Sequence, residues 1–129
     1  MIVEDHAGVR DALERMVESW ASVDLLSCNG FVGATQWINT APRIDLMLCD
    51  VYLPDGMTGI GLAEIAVRTH PRIAVVMTSA DPRPRVDGFT DRYSFLRKPF
   101  GREDLLEEID RTFARLNPHD VPGDPADAV

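Results

Sequence analysis

Ile44-Asp45-Leu46-Met47-Leu48-Cys49-Asp50 is a largely apolar stretch that ends in a carboxylate. Its run from Leu46 to Cys49 is typical of a strand that is buried on both faces. Such strands occur in parallel sheets whose two faces are covered by helices. The stretch therefore predicts an α/β fold in which Asp50 lies at the carboxyl end of a buried strand.

On both sides of this stretch the chain alternates between strand-like and helix-like segments. Further strands are predicted at residues 2–3, 23–28, 73–77 and 93–96. Apolar residues at helical spacing predict helices over residues 9–20, 34–42, 59–70 and 105–116. Five strands that alternate with helices predict a single domain with a parallel sheet that is covered on both faces.

The segment between the fourth and fifth strands interrupts the alternation. Residues 80–92 contain Pro82, Pro84 and Gly88, which leave room for little more than one helical turn. We therefore expect the fourth helix to be short or irregular. The domain is expected to span residues 1–117, and residues 118–129, rich in Pro and Asp, are expected to form a disordered tail or a linker.

The composition is that of a soluble globular protein of 129 residues, 45% of them hydrophobic. The net charge of −8 argues against a nucleic-acid-binding surface, which needs clustered Lys and Arg. No apolar run is long enough to span a membrane, and no basic segment of the signal-peptide type precedes the first apolar residues. Cys28 and Cys49 have no partner at metal-binding spacing, so we expect reduced thiols in a cytoplasmic protein.

Chemically complementary side chains stand where the predicted strands end. They are Glu4 and Asp5 after the first strand, Asp50 after the third, Thr78 and Ser79 after the fourth, and Lys98 after the fifth. Because open α/β sheets bind ligands at the carboxyl ends of their strands, we expect these groups to form one site. Each acid taken alone could be a helix cap or a turn residue. Three converging carboxylates, however, repel one another unless protons or cations neutralise them.

Mg²⁺ suits such a cluster because it prefers hard oxygen ligands. Beside the ion, Asp50 could attack a phosphoryl group and form an acyl phosphate. The ammonium of Lys98 and a hydroxyl from Ser79 or Thr78 would then stabilise the charge on the oxygens of the transferring group. The residues at the strand ends therefore predict a metal-assisted phosphoryl site.

Through these motifs the chain resembles a response-regulator receiver domain of two-component signalling, over residues 2–116. The matching motifs are Val3-Glu4-Asp5, Asp50-Val51-Tyr52-Leu53-Pro54 with Gly59 downstream, Met77-Thr78-Ser79-Ala80 and Phe95-Leu96-Arg97-Lys98-Pro99-Phe100. The resemblance implies a flavodoxin-like doubly wound domain with strand order 2-1-3-4-5. A loop one residue longer than usual between Pro54 and Gly59, together with the short segment after Ser79, resembles receivers of hybrid histidine kinases and some stand-alone receivers.

The resemblance also implies a role for each site residue. Asp50 is expected to be the phosphoacceptor, and Lys98 is expected to match the lysine of the family motif. The expected ligands of Mg²⁺, for which Mn²⁺ could substitute, are the carboxylates of Glu4, Asp5 and Asp50 and the backbone carbonyl of Tyr52.

Two further positions are expected to carry the switch. Phe95 stands at the switch-aromatic position, three residues before the lysine. Ser79 is preferred to Thr78 as the switch hydroxyl because the small residue Ala80 follows it. Neighbouring strand residues point to opposite sides, so only one of the two hydroxyls is expected to face Asp50.

The implied function is that of a signalling phosphoacceptor rather than a turnover enzyme. A histidine kinase or a phosphotransfer protein would phosphorylate Asp50, and the domain would hydrolyse the acyl phosphate slowly. Receivers often form weak homodimers, and the sequence leaves the oligomeric state and the downstream target open.

Two alternatives remain. The first is a phosphorylation-independent interaction module on the same fold, although such receivers usually lack the acceptor, an acid or the lysine, and this chain has all of them. The second is a phosphatase of the haloacid-dehalogenase type, which wants a second acid two positions after the nucleophile. This chain has Tyr52 at that position.

Overall fold

The computed structural model describes residues 1–81 and 92–116. The strands are β1 (Ile2–Val3), β2 (Ser27–Cys28), β3 (Leu46–Asp50), β4 (Ala74–Ser79) and β5 (Ser94–Arg97). The helices are α1 (Ala7–Trp20), α2 (Phe31–Thr40), α3 (Gly59–Thr69) and α4 (Arg102–Leu116), and a short 3₁₀ turn (Pro54–Gly56) precedes α3. Within the described residues, no helix is long and apolar enough to cross a membrane.

The five strands form one parallel sheet with the order β2-β1-β3-β4-β5. This order confirms the predicted doubly wound α/β fold. The register pairs Asp50 with Thr78 and Ser79 with Arg97. The carboxyl ends of β3, β4 and β5 therefore meet at one edge of the sheet, where the predicted site residues lie.

The central strands carry a separate core on each face of the sheet. Met47, Cys49 and Met77 pack with α2 and α3 on one face. Leu48 and Val76 pack with α1 and α4 on the other. Burying an aliphatic side chain of this size contributes about 1.5–3 kcal/mol, so two covered faces give β3 and β4 a firm position. The predicted reading of β3 as a strand buried on both sides is confirmed.

The second strand is shorter than predicted. The sequence predicted a strand over residues 23–28, and β2 contains only Ser27 and Cys28. Its one neighbour in the sheet is β1, whose two residues pair with those two. The prediction was wrong because β1 offers only two residues for pairing: the Leu26 carbonyl still accepts from the Ile2 N–H at 2.8 Å, and the pairing extends no further toward Val23, which is exposed.

Two predicted features lie outside the described residues. The expected short or irregular fourth helix falls mostly on residues 82–91, and the expected tail on residues 118–129. The helix predicted after the fifth strand is present as α4. Its first turn carries Glu103 and Asp104 and its last turn Arg115, which is the charge arrangement that the helix dipole favours.

Candidate functional site

Lys98 joins two carboxylates from different strands. It follows β5, and its Nζ donates to Asp50 Oδ2 at 2.9 Å and to Glu4 Oε2 at 3.0 Å. Asp50 ends β3, and Glu4 follows β1. Glu4 and Asp50 are 46 positions apart in sequence, and Asp50 and Lys98 are 48 apart. The fold brings all three together, as the strand-end pattern predicted.

Burial and charge shift the pKa values of this group. The Glu4 side chain is 2% exposed, and burial raises its pKa although the hydrogen bond and charge of Lys98 act in the opposite direction. For Lys98, burial acts to lower the pKa, but the hydrogen bonds and charges of Asp50 and Glu4 outweigh it and raise the pKa above its ordinary value. Lys98 is therefore charged at neutral pH, and Glu4 holds a proton more tightly than an exposed glutamate.

A third carboxylate completes an acidic cluster. Glu4, Asp5 and Asp50 each offer one oxygen, and these oxygens lie within 4.8 Å of one another. Counted by formal charge, one ammonium and three carboxylates give 1 − 3 = −2. Hard oxygen donors and this surplus charge fit a divalent cation such as Mg²⁺.

The turn between β1 and α1 is held by residues whose roles the sequence did not indicate. His6 is the N-cap of α1, and its Nδ1 accepts a hydrogen bond from the Val9 N–H at 3.2 Å. The capping role that a strand-end acid could have had thus belongs to His6 rather than to Asp5. Arg10 donates from Nη1 to the backbone carbonyl of Glu4 at 2.8 Å.

The junction between β3 and α3 is tied to the sheet by backbone hydrogen bonds. The Val51 N–H donates to the Thr78 carbonyl at 2.9 Å, and the Gly59 N–H donates to the Val51 carbonyl at 2.7 Å. A Cβ atom at Gly59 would fall well inside van der Waals contact with the Asp50 carbonyl oxygen. Only glycine allows α3 to begin so close to the end of β3. Tyr52, between them, is 45% exposed.

The two candidate hydroxyls occupy opposite sides of β4. Thr78 is the register partner of Asp50, so by strand alternation it shares the Asp50 face. Ser79 lies on the opposite face, which it shares with Met77 and with Phe95, the register partner of Met77. Its Oγ accepts from the Asp81 N–H at 3.1 Å.

Ser79 is also tied directly to the lysine segment. The Lys98 N–H donates to the Ser79 carbonyl at 2.8 Å. The next peptide bond, Lys98-Pro99, is cis. The backbone of Ser79 therefore fixes the starting point of the chain that carries the Lys98 ammonium to Asp50 and Glu4.

Comparison with solved structures shows the same fold in receiver proteins. A CheY-like response regulator receiver domain protein from Methanospirillum hungatei JF-1 is 22% identical, with a TM-score of 0.76 over 91% of this chain and 94% of that one. A response regulator receiver protein from Sinorhizobium medicae WSM419 is 16% identical, with a TM-score of 0.76 over 87% and 90%. The signal receiver domain of a signal transduction histidine kinase from Syntrophus aciditrophicus is 21% identical, with a TM-score of 0.73 over 90% and 89%.

Comparison with protein families gives the assignment. Residues 1–110 match the family described as the response regulator receiver domain. That match covers most of the chain and includes the acidic cluster, the end of β4 and Lys98. The resemblance found in the sequence is thereby confirmed, and the chain belongs to the response regulator receiver family of two-component signalling.

Proposed function

We propose that this receiver domain accepts a phosphoryl group on Asp50. The observation that carries the proposal is the Lys98 ammonium, which contacts Asp50 and Glu4 at the centre of an acidic cluster. A purely structural ion pair would need only one carboxylate. Here two carboxylates share one ammonium and Asp5 lies beside them, so the cluster keeps an excess of negative charge that costs stability without a cation, and that cost is expected where the residues serve chemistry.

The donor is a phosphohistidine on a histidine kinase or a phosphotransfer protein. A carboxylate oxygen of Asp50 attacks the phosphorus and forms the new O–P bond while the P–N bond breaks. The electron pair of that bond stays on the departing ring nitrogen, and because the other ring nitrogen of the donor carries a proton, the leaving group is neutral imidazole. Water later attacks the acyl phosphate, releases inorganic phosphate and restores Asp50. Asp50 is thus a signalling acceptor with slow self-dephosphorylation.

Lys98 has two roles in this step. Before transfer, its hydrogen bond to Oδ2 orients the Asp50 carboxylate. During transfer, its ammonium offsets the charge that spreads over the phosphoryl oxygens. A Mg²⁺ or Mn²⁺ ion held by Glu4, Asp5, Asp50 and the Tyr52 carbonyl would supply further positive charge to those oxygens.

Ser79 and Phe95 are proposed to carry the response. They share one face of the sheet, on neighbouring strands, whereas strand alternation gives the Asp50 face to Thr78, so the Ser79 hydroxyl has to turn past the end of β4 to reach a phosphoryl group on Asp50. If Ser79 gives up its contact with the Asp81 N–H and turns to the phosphoryl group, space opens on the face where Phe95 packs against the core. Phe95 then moves inward, and the surface formed by β4, β5 and α4 changes, which shifts the population of two states.

Intact-protein mass spectrometry tests the proposal. The protein is incubated with phosphoramidate, a small phosphodonor, in Mg²⁺ and in parallel with a chelator. We expect a gain of one phosphoryl group that depends on Mg²⁺ and is absent from Asp50→Asn. An unchanged mass, under conditions in which a known receiver is phosphorylated, would instead favour the phosphorylation-independent interaction module.

A further inference from the structure

Arg10 occupies an unusual position for a cation. It lies in the first turn of α1, where the positive end of the helix dipole disfavours positive side chains and where this helix carries no acidic residue. Arg10 is nevertheless half-buried. A half-buried guanidinium at the N-terminus of a helix needs compensation from outside the helix.

One compensating contact is with the backbone that carries two acids of the cluster. Nη1 of Arg10 donates to the backbone carbonyl of Glu4 at 2.8 Å. That carbonyl belongs to the peptide that joins Glu4 to Asp5, the two acids that follow β1. Lys98 contacts the side chain of the same Glu4 at 3.0 Å. Glu4 is therefore held at its backbone by one cation and at its carboxylate by another.

We propose that Arg10 is a positioning residue of the divalent-cation site, an inference that rests on the cation site of the proposed function. By fixing the Glu4–Asp5 peptide, Arg10 holds the two carboxylates in the arrangement that brings them within 4.8 Å of each other and of Asp50. Its hydrogen bond goes to a backbone carbonyl, so Arg10 occupies no carboxylate oxygen of Glu4 or Asp5. The carboxylates that would bind the divalent cation are therefore already in position before it binds.

Calorimetric titration of Mg²⁺ tests this role. Replacement of Arg10 by Met keeps the apolar stem and removes the hydrogen bond and the charge. We expect the dissociation constant of Mg²⁺ to rise about tenfold, the lower end of the effect of residues that orient metal ligands. Arg10→Lys, which keeps the charge and one donor, should recover part of this loss. Arg15→Met removes the same charge from an exposed position on α1 and should leave the constant unchanged.

A second measurement separates positioning from structural support and needs no variant. In the wild-type protein, Mg²⁺ should shift the side-chain NMR signal of Arg10 Nε and leave that of Arg15 in place. A folded Arg10→Met protein that binds Mg²⁺ as tightly as wild type, or an Arg10 signal that Mg²⁺ does not move, would overturn the inference. Failure of the wild-type protein itself to bind Mg²⁺ would instead count against the cation site of the proposed function.

Discussion

At the residue scale, the site depends on one ammonium. Lys98 is the only lysine of the chain, and it contacts both Asp50 and Glu4. Selective isotope labelling of lysine therefore gives a single side-chain NMR signal that reports on the site. We expect its titration midpoint to lie above the ordinary value of 10.5, because the bonds and charges of Asp50 and Glu4 outweigh burial.

This shift has a consequence for stability against pH. Because the pKa of Lys98 is higher in the folded state, its contribution is fully present below the unfolded pKa and is lost as the pH rises through the folded pKa. Without divalent cations, Lys98→Met should cost about 1–3 kcal/mol at neutral pH. This loss of stability is smaller than the loss expected for a fully buried ion pair, because the Lys98 side chain is 22% exposed. In urea unfolding, the difference between wild type and variant should shrink above pH 10.5. A constant difference would contradict the assigned contacts.

Substitutions of Ser79 and Thr78, the two hydroxyl residues at the end of β4, are expected to have different effects. Phosphorylation is expected to change the amide NMR signals of Phe95 and Leu96. We expect Ser79→Ala to remove most of this change, because Ser79 lies on the strand next to β5 and on the same sheet face as Phe95. Thr78→Val, which removes a hydroxyl with little change of volume, is the matched control and should respond like wild type. The opposite outcome would assign the switch to Thr78, the register partner of Asp50.

Sequence predicted some site residues better than others. The convergence of Glu4, Asp50 and Lys98 follows from parallel strands that end at one edge, so strand assignment was sufficient. Arg10 and His6 were missed as contributors because each bonds to a backbone group, Glu4 O and Val9 N. A side chain that bonds to the backbone has no complementary residue in the sequence that would reveal the contact.

At the element scale, α3 begins where a glycine permits it. Gly59→Ala should destabilise the protein by about 1–3 kcal/mol in urea unfolding and should slow phosphorylation, because the added methyl group displaces the Asp50 carbonyl. Gly61→Ala in the same helix is the control. Its Cβ meets only the Thr58 hydroxyl at 3.5 Å, an ordinary contact, so the change should be neutral or stabilising by about 0.5–1 kcal/mol. Equal effects of the two variants would refute the close approach.

Helices and strands with a strong apolar pattern were predicted well. Strand ends that depend on hydrogen bonding to a neighbouring strand were not. β3, β4 and α4 matched because burial on one or both faces fixes their residue types. β2 was predicted too long because its length depends on the two residues that β1 offers, which local composition does not show. The fourth strand was predicted to end at Met77, and pairing with β5 extends β4 to Ser79.

At the scale of the whole molecule, cation binding should stabilise the fold. A ligand that binds only the folded state adds about 2.7 kcal/mol at about 100 times its dissociation constant. We therefore expect Mg²⁺ to raise the midpoint of thermal unfolding. Asp5→Asn should abolish most of this gain, and Asp11→Asn, which removes an exposed charge from α1, should keep it. An equal gain in all three proteins would indicate unspecific screening rather than a site.

Asp50 is the residue proposed to receive the phosphoryl group, and mapping the modified residue shows whether it does. The protein is phosphorylated by phosphoramidate in Mg²⁺ and reduced with borohydride, which converts an aspartyl phosphate into homoserine, and its peptides are then sequenced by mass spectrometry. We expect homoserine at position 50 and at no other acid of the cluster. Reduction at Glu4 or Asp5, or an unmodified Asp50 in phosphorylated protein, would contradict this proposal.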